Sequence, residues 1–372
     1  MNKKISLGNL IIIGIFLCVI FMPLYVGWGT DFMWEDTENR SMADKPTFEL
    51  ESIDTYCEKM NAYFSDNVPF RKAWLRCNGA IRYGIFKSSN NALSLPGKDG
   101  WIFYGDSGGE NSVADYMQTN LFSQEQLKDL CASLQGFKNY LDSQGIEFRL
   151  MINLNKSHIY LEYMPDSINA GTGITRAEQL IEYLECNSDI EVVYPKNALI
   201  EAKEDYLLYC PTDAHWNTIG GYIGFMELQK SINPEFEALP ISEISPQYST
   251  SNWGDVANII NAAWFTNNIW TTSSYKEECI LEWKYRTDED PITYVRNSHG
   301  NGLKLLTYND SYMNQMQEYL AKEYSLCEFV EKDFTIEESE ILSINPDIVV
   351  FEILERMLNQ YSEELRYWQK YY

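Results

Sequence analysis

His158, His215 and His299 are the only histidines in 372 residues, so imidazole chemistry has few possible seats. His215 lies in Thr212-Asp213-Ala214-His215-Trp216-Asn217, a polar turn that precedes an expected helix. Ser311 lies in Tyr308-Asn309-Asp310-Ser311-Tyr312, between an apolar strand-like run and the next expected helix. A serine at a sharp strand-to-helix turn can lift its Oγ out of a sheet, beside N–H groups that can hold an oxyanion. Serine is a poor nucleophile near neutral pH and needs an imidazole base within hydrogen-bond reach. That imidazole needs a carboxylate to fix its tautomer and stabilise its cation. Asp213 and His215, two residues apart, can supply both from one loop, giving a Ser/His/Asp set in the chain order Asp–His–Ser. The competing reading is a solvated turn followed by a capping serine, because Ser311 is also an acceptable N-cap.

Other candidates are weaker. Gly105-Asp106-Ser107-Gly108-Gly109 looks like a serine motif, but no strong helix follows it, and a glycine-rich turn explains it more simply. His158 reads as a structural histidine and His299 as loop surface. No Cys-x-x-Cys pair occurs, so a structural zinc site is not expected; neither is any other metal or a cofactor. Cys57 and Cys77 flank one helical hairpin and can pair if oxidised. Trp253, Trp264 and Trp270 fit either sugar stacking or the packing of a small subdomain.

The elements that must position such a set follow from patterning. Alternating strand and helix signals run from about residue 101. A strand is expected over Trp101–Tyr104, then a helix over about 123–144 that opens with Ser123 and Gln126 as a capping box. Strand Phe148–Leu154, a helix over about 174–186, strand Glu191–Tyr194 and a helix from His215 to about Ser231 come next. Residues 232–300, rich in Asn, Ser, Thr and Trp, read as an insertion with some strands. Beyond them are expected strand Leu303–Tyr308, helix Tyr312–Glu323, strands Leu326–Val330 and Asp347–Phe351, and a terminal helix from about Ile353 whose Glu363 and Glu364 form a solvated face. Apolar runs such as LKLLTY and DIVVFEI indicate a mostly parallel sheet covered on both faces, an α/β fold. In such sheets functional residues collect at the carboxyl ends of strands, where both motifs fall.

Lys3 and Lys4 precede an uncharged stretch from Ile5 to Trp28. A helix from Leu7 to Trp28 would be roughly 33 Å long at about 1.5 Å per residue, enough for a bilayer core. The lysines predict an inside N-terminus and an extracytoplasmic remainder. The expected organisation is a transmembrane anchor at 1–28, a linker and helical hairpin at 29–95, and an α/β domain at 96–372. The hairpin helices are expected over 49–64 and 69–86. Lys+Arg number 29 against 54 Asp+Glu, a formal charge of −25, which disfavours nucleic acid as a partner.

Several segments together resemble a known family. Asp213-Ala214-His215-Trp216-Asn217 with Gly220-Gly221, and Asn309-Asp310-Ser311-Tyr312, resemble the SGNH hydrolase-like domain of the AlgJ/AlgX type and the related DHHW family. Glu38-Asn39-Arg40 with Pro46, Phe64-to-Arg71, Gly97-to-Phe103, Asn155-to-Tyr160 with Glu162 and Pro165, Trp253-to-Ala257, and Asn345-to-Val350 with Glu352 and Arg356 match in the same order. The resemblance implies an SGNH-like three-layer α/β/α fold. It also implies an extracytoplasmic, membrane-anchored enzyme that O-acetylates an exported polysaccharide, with Ser311 as nucleophile, His215 as base and Asp213 as its orienter. A multi-spanning membrane acyltransferase would deliver the acetyl group. Lys156, Trp216, Asn217, Asp255, Tyr312, Glu352 and Arg356 are expected at the substrate. The family's Gly-Asp-Ser carries Asn309 in place of glycine, a residue that tolerates positive φ at a tight elbow. An acetyl-polysaccharide esterase and a non-catalytic polysaccharide-binding subunit are the alternatives.

Overall fold

The computed structural model describes residues 7–27, 43–48, 53–67, 71–107, 110–276, 278–287, 292–331, 336–360 and 365–372. The chain forms two compact units, residues 1–81 and 82–372. In the first, Leu7–Gly27 is one uncharged helix whose apolar side chains from Leu7 to Phe21 are exposed. Among the described residues no helix is long and apolar enough to cross a membrane. The spanning anchor expected over 1–28 is therefore not supported by the described residues. Helices Ile53–Asp66 and Arg71–Gly79 form where the hairpin was expected. Cys57 and Cys77 are exposed free thiols here.

The second unit is built on a seven-stranded sheet. In chain order its strands are β1 (Glu147–Asn153), β2 (Val192–Val193), β3 (Leu281–Lys284), β4 (Ile292–Asn297), β5 (Lys304–Asn309), β6 (Leu326–Glu331) and β7 (Ile348–Leu354), arranged β2-β1-β7-β5-β6-β4-β3. The joins from β2 to β6 are parallel; β6–β4 and β4–β3 are antiparallel, so the sheet is mixed. β7 is buried along its whole length and β1 beyond its first residue, as strands covered on both faces must be. Phe148 meets Phe137 of helix Gln124–Ser143 on one face. Met151, three residues on, lies beside Gly224 of helix Thr218–Ile232 on the other, because side chains alternate along a strand.

Helix Gln124–Ser143 starts at the expected capping box, with Gln126 N–H donating to Ser123 Oγ and the Gln126 side chain accepting from Ser123 N–H. Thr175 and Glu178 repeat the device for helix Arg176–Asn187. β3 and β4, strands of the kind expected inside the insertion at about 232–300, add to the edge of the main sheet. One expectation changes. No helix begins at Ile353: among the described residues β7 runs on to Leu354, a 3₁₀ turn follows at Glu355–Met357, and residues 365–366 are helical before the 3₁₀ segment Tyr367–Tyr371. Trp368 of the last turn is fully buried against Phe137 and Tyr140. Glu363, Glu364 and most of the expected linker lie outside the described residues.

Candidate active site

β5 ends at Asn309, and Ser311 opens a 3₁₀ turn, Ser311–Gln315. Asn309 is not among the positive-φ residues; it ends the strand in ordinary geometry. Its side chain instead accepts from Thr307 Oγ1 at 2.6 Å and donates to the Asp310 carbonyl at 2.9 Å. Asp310 caps the turn: Oδ1 accepts from Tyr312 N–H at 2.8 Å and Oδ2 from Leu354 N–H at 2.7 Å, pinning the turn to the end of β7. The Ser311 N–H, at the first position of the turn, has no acceptor within the turn.

The second loop runs back on itself between Tyr209 and Trp216, which form an isolated antiparallel bridge. His215 N–H donates to Asp213 Oδ1 at 3.0 Å, and His215 Nδ1 lies 2.7 Å from the same oxygen. His215 Nε2 is 2.8 Å from Ser311 Oγ. Residues 96 positions apart thus form one continuous hydrogen-bonded chain from carboxylate to hydroxyl. Asp213 Oδ2 accepts from Asp255 N–H at 2.9 Å, so the carboxylate is held on both sides.

Two neighbours lock the loops together. Trp216, fully buried, donates Nε1–H to the Tyr312 carbonyl at 2.8 Å, and Tyr312 Oη donates to the Ala214 carbonyl at 2.6 Å. Asn217 caps helix Thr218–Ile232, accepting from Ile219 and Gly220 N–H. Gly221 of that helix faces the Gln315 carbonyl so closely that a Cβ would sit 2.5 Å from it. That is why a Gly-Gly pair follows the His-Trp-Asn step.

Lys156 is buried, and its Nζ is within 2.6–3.0 Å of four backbone carbonyls: Ile102, Cys210, Pro211 and Asp213. It clamps the Asp213 loop from below. Glu352 is buried between Asn153 Nδ2 at 2.6 Å and Asp310 N–H at 3.0 Å. Lys156, Trp216, Asn217, Tyr312 and Glu352, expected to touch substrate, thus have no free surface for it, and their polar groups hold backbone in place. Arg356 stacks over the Tyr104 ring at 4.2 Å and pairs with Glu110 at 3.0 Å. Asp255 retains partial exposure, 3.6 Å from His215 Nδ1.

The electrostatics suit a base. Burial alone would disfavour imidazolium, but the hydrogen bond and charge of Asp213 outweigh it and raise the His215 pKa. Burial pushes Asp213 up, yet its bonds to His215 and the His215 charge bring it below the usual carboxylate range. Asp255 is raised, first by burial and then by the charge of Asp213. Burial, and then the neighbouring Asp310 charge, raise Glu352 well above the usual carboxylate range. Asp213, His215 and Asp255 also converge as three possible metal ligands. The 2.7 Å between His215 Nδ1 and Asp213 Oδ1 is a hydrogen-bond distance, however, shorter than two ligands at about 2.0–2.2 Å from a shared tetrahedral ion would stand apart.

The other histidines have different settings. His158 Nδ1 pairs with Glu355 in the interior, and His299 lies in a loop with its N–H on Asn297 Oδ1. Asp106 caps helix Ser112–Met117 through Val113 and Ala114 N–H, a structural task for the Gly-Asp-Ser look-alike.

Residues 95–280 match the family description "SGNH hydrolase-like domain, acetyltransferase AlgX", half of the chain. The protein therefore belongs to the AlgX-type acetyltransferase family of SGNH hydrolase-like domains, with their α/β fold. The match includes Asp213 and His215; Ser311 lies beyond it. The Bacillus cereus PatB1 structure superposes with a TM-score of 0.53 at 15% identity, over 72% of this chain and 97% of that one. A DHHW family protein from Eubacterium siraeum gives 0.53 at 14% identity, over 74% and 98%. PatB1 carrying a sulfonyl adduct gives 0.52 at 14% identity, over 72% and 95%. No curated protein matches the chain in sequence.

Proposed function

We propose that the protein is an extracytoplasmic O-acetyltransferase that moves acetyl groups onto hydroxyls of an exported polysaccharide, with Ser311, His215 and Asp213 as its triad. The observation that carries this is the unbroken hydrogen-bonded series Asp213–His215–Ser311, on a chain that belongs to an acetyltransferase family. His215 Nε2 takes the Ser311 proton as Oγ attacks the acetyl carbonyl of an ester donor, then gives it to the departing alcohol. A sugar hydroxyl next loses its proton to His215 and attacks acetyl-Ser311. Ester exchange is complete when the proton returns to Ser311 Oγ. Asp213 holds the imidazole tautomer that makes each transfer possible.

The donor is an acetyl group carried out by a multi-spanning membrane acyltransferase. Attachment to the membrane through helix Leu7–Gly27 belongs to the same proposal, supported by its lack of charge and its outward apolar side chains. Full-length protein with an acetyl-ester donor and a glycan acceptor should acetylate the acceptor, and S311A should not. Equal transfer by S311A defeats the proposal. The same triad with water as acceptor gives an acetylesterase, and comparing acetate release with and without glycan separates the two.

A further inference from the structure

Between Ser245 and Tyr275 the only charged residue is Asp255, in a chain with a formal charge of −25. The rest of that segment is uncharged, rich in hydroxyl, amide and aromatic side chains with aliphatic residues such as Val256, Ile259 and Ile260 among them. It forms a hairpin, Gln247–Ser251 with Asn268–Thr272, connected through Trp253-Gly254-Asp255 and a short helix, Asp255–Ile259. Hydrogen bonds strap it to the loop that carries Asp213 and His215. Thr212 N–H donates to Asn268 Oδ1 at 3.1 Å, Ala214 N–H to Asp255 Oδ1 at 2.6 Å, Ala257 N–H to the Thr212 carbonyl at 3.2 Å and Thr218 N–H to Thr271 Oγ1 at 3.0 Å. A Cβ on Gly254 would sit 2.3 Å from the Thr212 carbonyl, so this residue must be glycine for the approach.

On this rigid strap Trp253 is 56% exposed and Tyr248 50% exposed. Trp253 packs against Trp270, with ring centroids 6.1 Å apart and planes 34° apart, so the partner indole supports it from one side. Two residues span at most about 7 Å, so the Trp253 backbone lies within about that distance of Asp255, whose Oδ2 is 3.6 Å from His215 Nδ1. Trp253 and Tyr248 leave aromatic surface open to solvent on this segment. Its chemistry selects the occupant. On this segment a polyanion would meet no Lys or Arg, and an anionic membrane surface would find none of the basic residues it attracts. Indole faces flanked by uncharged donors and acceptors match the apolar face and hydroxyl rim of a neutral sugar ring.

We infer that Trp253, backed by Trp270 on the uncharged hairpin, is an acceptor subsite for a neutral pyranose unit of the glycan next to the one acetylated. This rests on the transferase reading for its role, though binding itself can be measured without turnover. The test is calorimetric titration of the full-length protein in detergent with cellotetraose, chitotetraose and mannotetraose, beside tetragalacturonate as the anionic comparison and phosphatidylcholine vesicles as the lipid one. At least one neutral tetraose should bind, with affinity about tenfold weaker in W253A (about 1.4 kcal/mol) and intermediate in W253F. Replacing Trp283 of the distant strand β3 by Phe should leave it unchanged. S311A should bind the tetraose as the parent does; if S311A still turns over acetyl ester, the triad falls and the subsite stands. No neutral tetraose bound, tighter binding of tetragalacturonate, equal affinity of W253A and parent, or a Trp253-dependent association with vesicles alone would each overturn the subsite.

Discussion

Replacing Lys156 by Met removes a buried ammonium from a cage of four carbonyl oxygens. An ammonium has three N–H donors, so the cage at 2.6–3.0 Å satisfies it completely, and it holds the Cys210, Pro211 and Asp213 carbonyls on one centre. Burial still disfavours the charge and, against the opposing pull of Asp255 and Asp213, brings the Lys156 pKa down to about 8. In the unfolded chain the value is about 10.4. Between these two pH values the unfolded chain binds the proton and the folded chain does not, so this group makes stability rise with pH across that window. At about 1.4 kcal/mol per unit, the rise is on the order of 3 kcal/mol. Buried groups such as Tyr209 and Cys210, raised by burial, act in the opposite direction as pH increases. The informative quantity is therefore the difference between parent and K156M in urea unfolding free energy, measured from pH 7 to pH 10.5. That difference should climb by roughly 3 kcal/mol in favour of the parent, with most of the change above pH 8. A difference that stays flat within about 1 kcal/mol would show that burial does not depress the Lys156 pKa.

Further outcomes follow from the triad and its supports. D213N should lower the acetyl-transfer kcat by about 10³–10⁴-fold, by freeing the wrong tautomer of His215; a loss under tenfold in steady-state kinetics would show that Asp213 does not orient the base. Because His215 must be neutral to accept a proton and Asp213 raises its pKa, activity should fall as pH drops through a midpoint above the usual histidine value near 6.5. An acid limb below that value contradicts the pairing, and in D213N the limb should move down. W216F leaves the buried Tyr312 carbonyl without its 2.8 Å donor, so it should cost about 1–3 kcal/mol in denaturant unfolding. An unchanged midpoint would mean that the two loops are not tied through this bond.

Much of this was legible from residue order because the relevant signals are local. Ser123 and Gln126 are three apart, so a capping box can be read directly and forms as expected. The parallel core was readable because β1 and β7 are apolar on both faces. Residues 281–297 were harder: Leu281-Glu282-Trp283-Lys284 and Ile292-Thr293-Tyr294-Val295-Arg296 alternate with a period of two, but the polar, Asn-rich stretch before them hid the change of register. The helix expected from Ile353 failed because its apolar residues continue β7, where Leu354 N–H is taken by Asp310. Asp213, His215 and Ser311 could be nominated by residue chemistry, while the tasks of their neighbours could not. The acceptors of Lys156 are backbone atoms from residues 102 and 210–213, and backbone atoms leave no trace in residue type. Trp216 and Tyr312 looked like substrate contacts because tryptophan and tyrosine serve equally well at surfaces and between loops; only their complete burial separates the two uses.

The acyl-enzyme provides the most direct measurement. Full-length protein is mixed with an acetyl-ester donor without acceptor, quenched in acid and digested, and the peptides are mapped by mass spectrometry. One acetyl group should be found on the peptide containing Ser311, absent from S311A and removed when glycan acceptor is added before the quench. Acetyl product formed while Ser311 stays unmodified, or an acetyl group on another side chain that survives in S311A, would contradict the assignment of Ser311 as nucleophile.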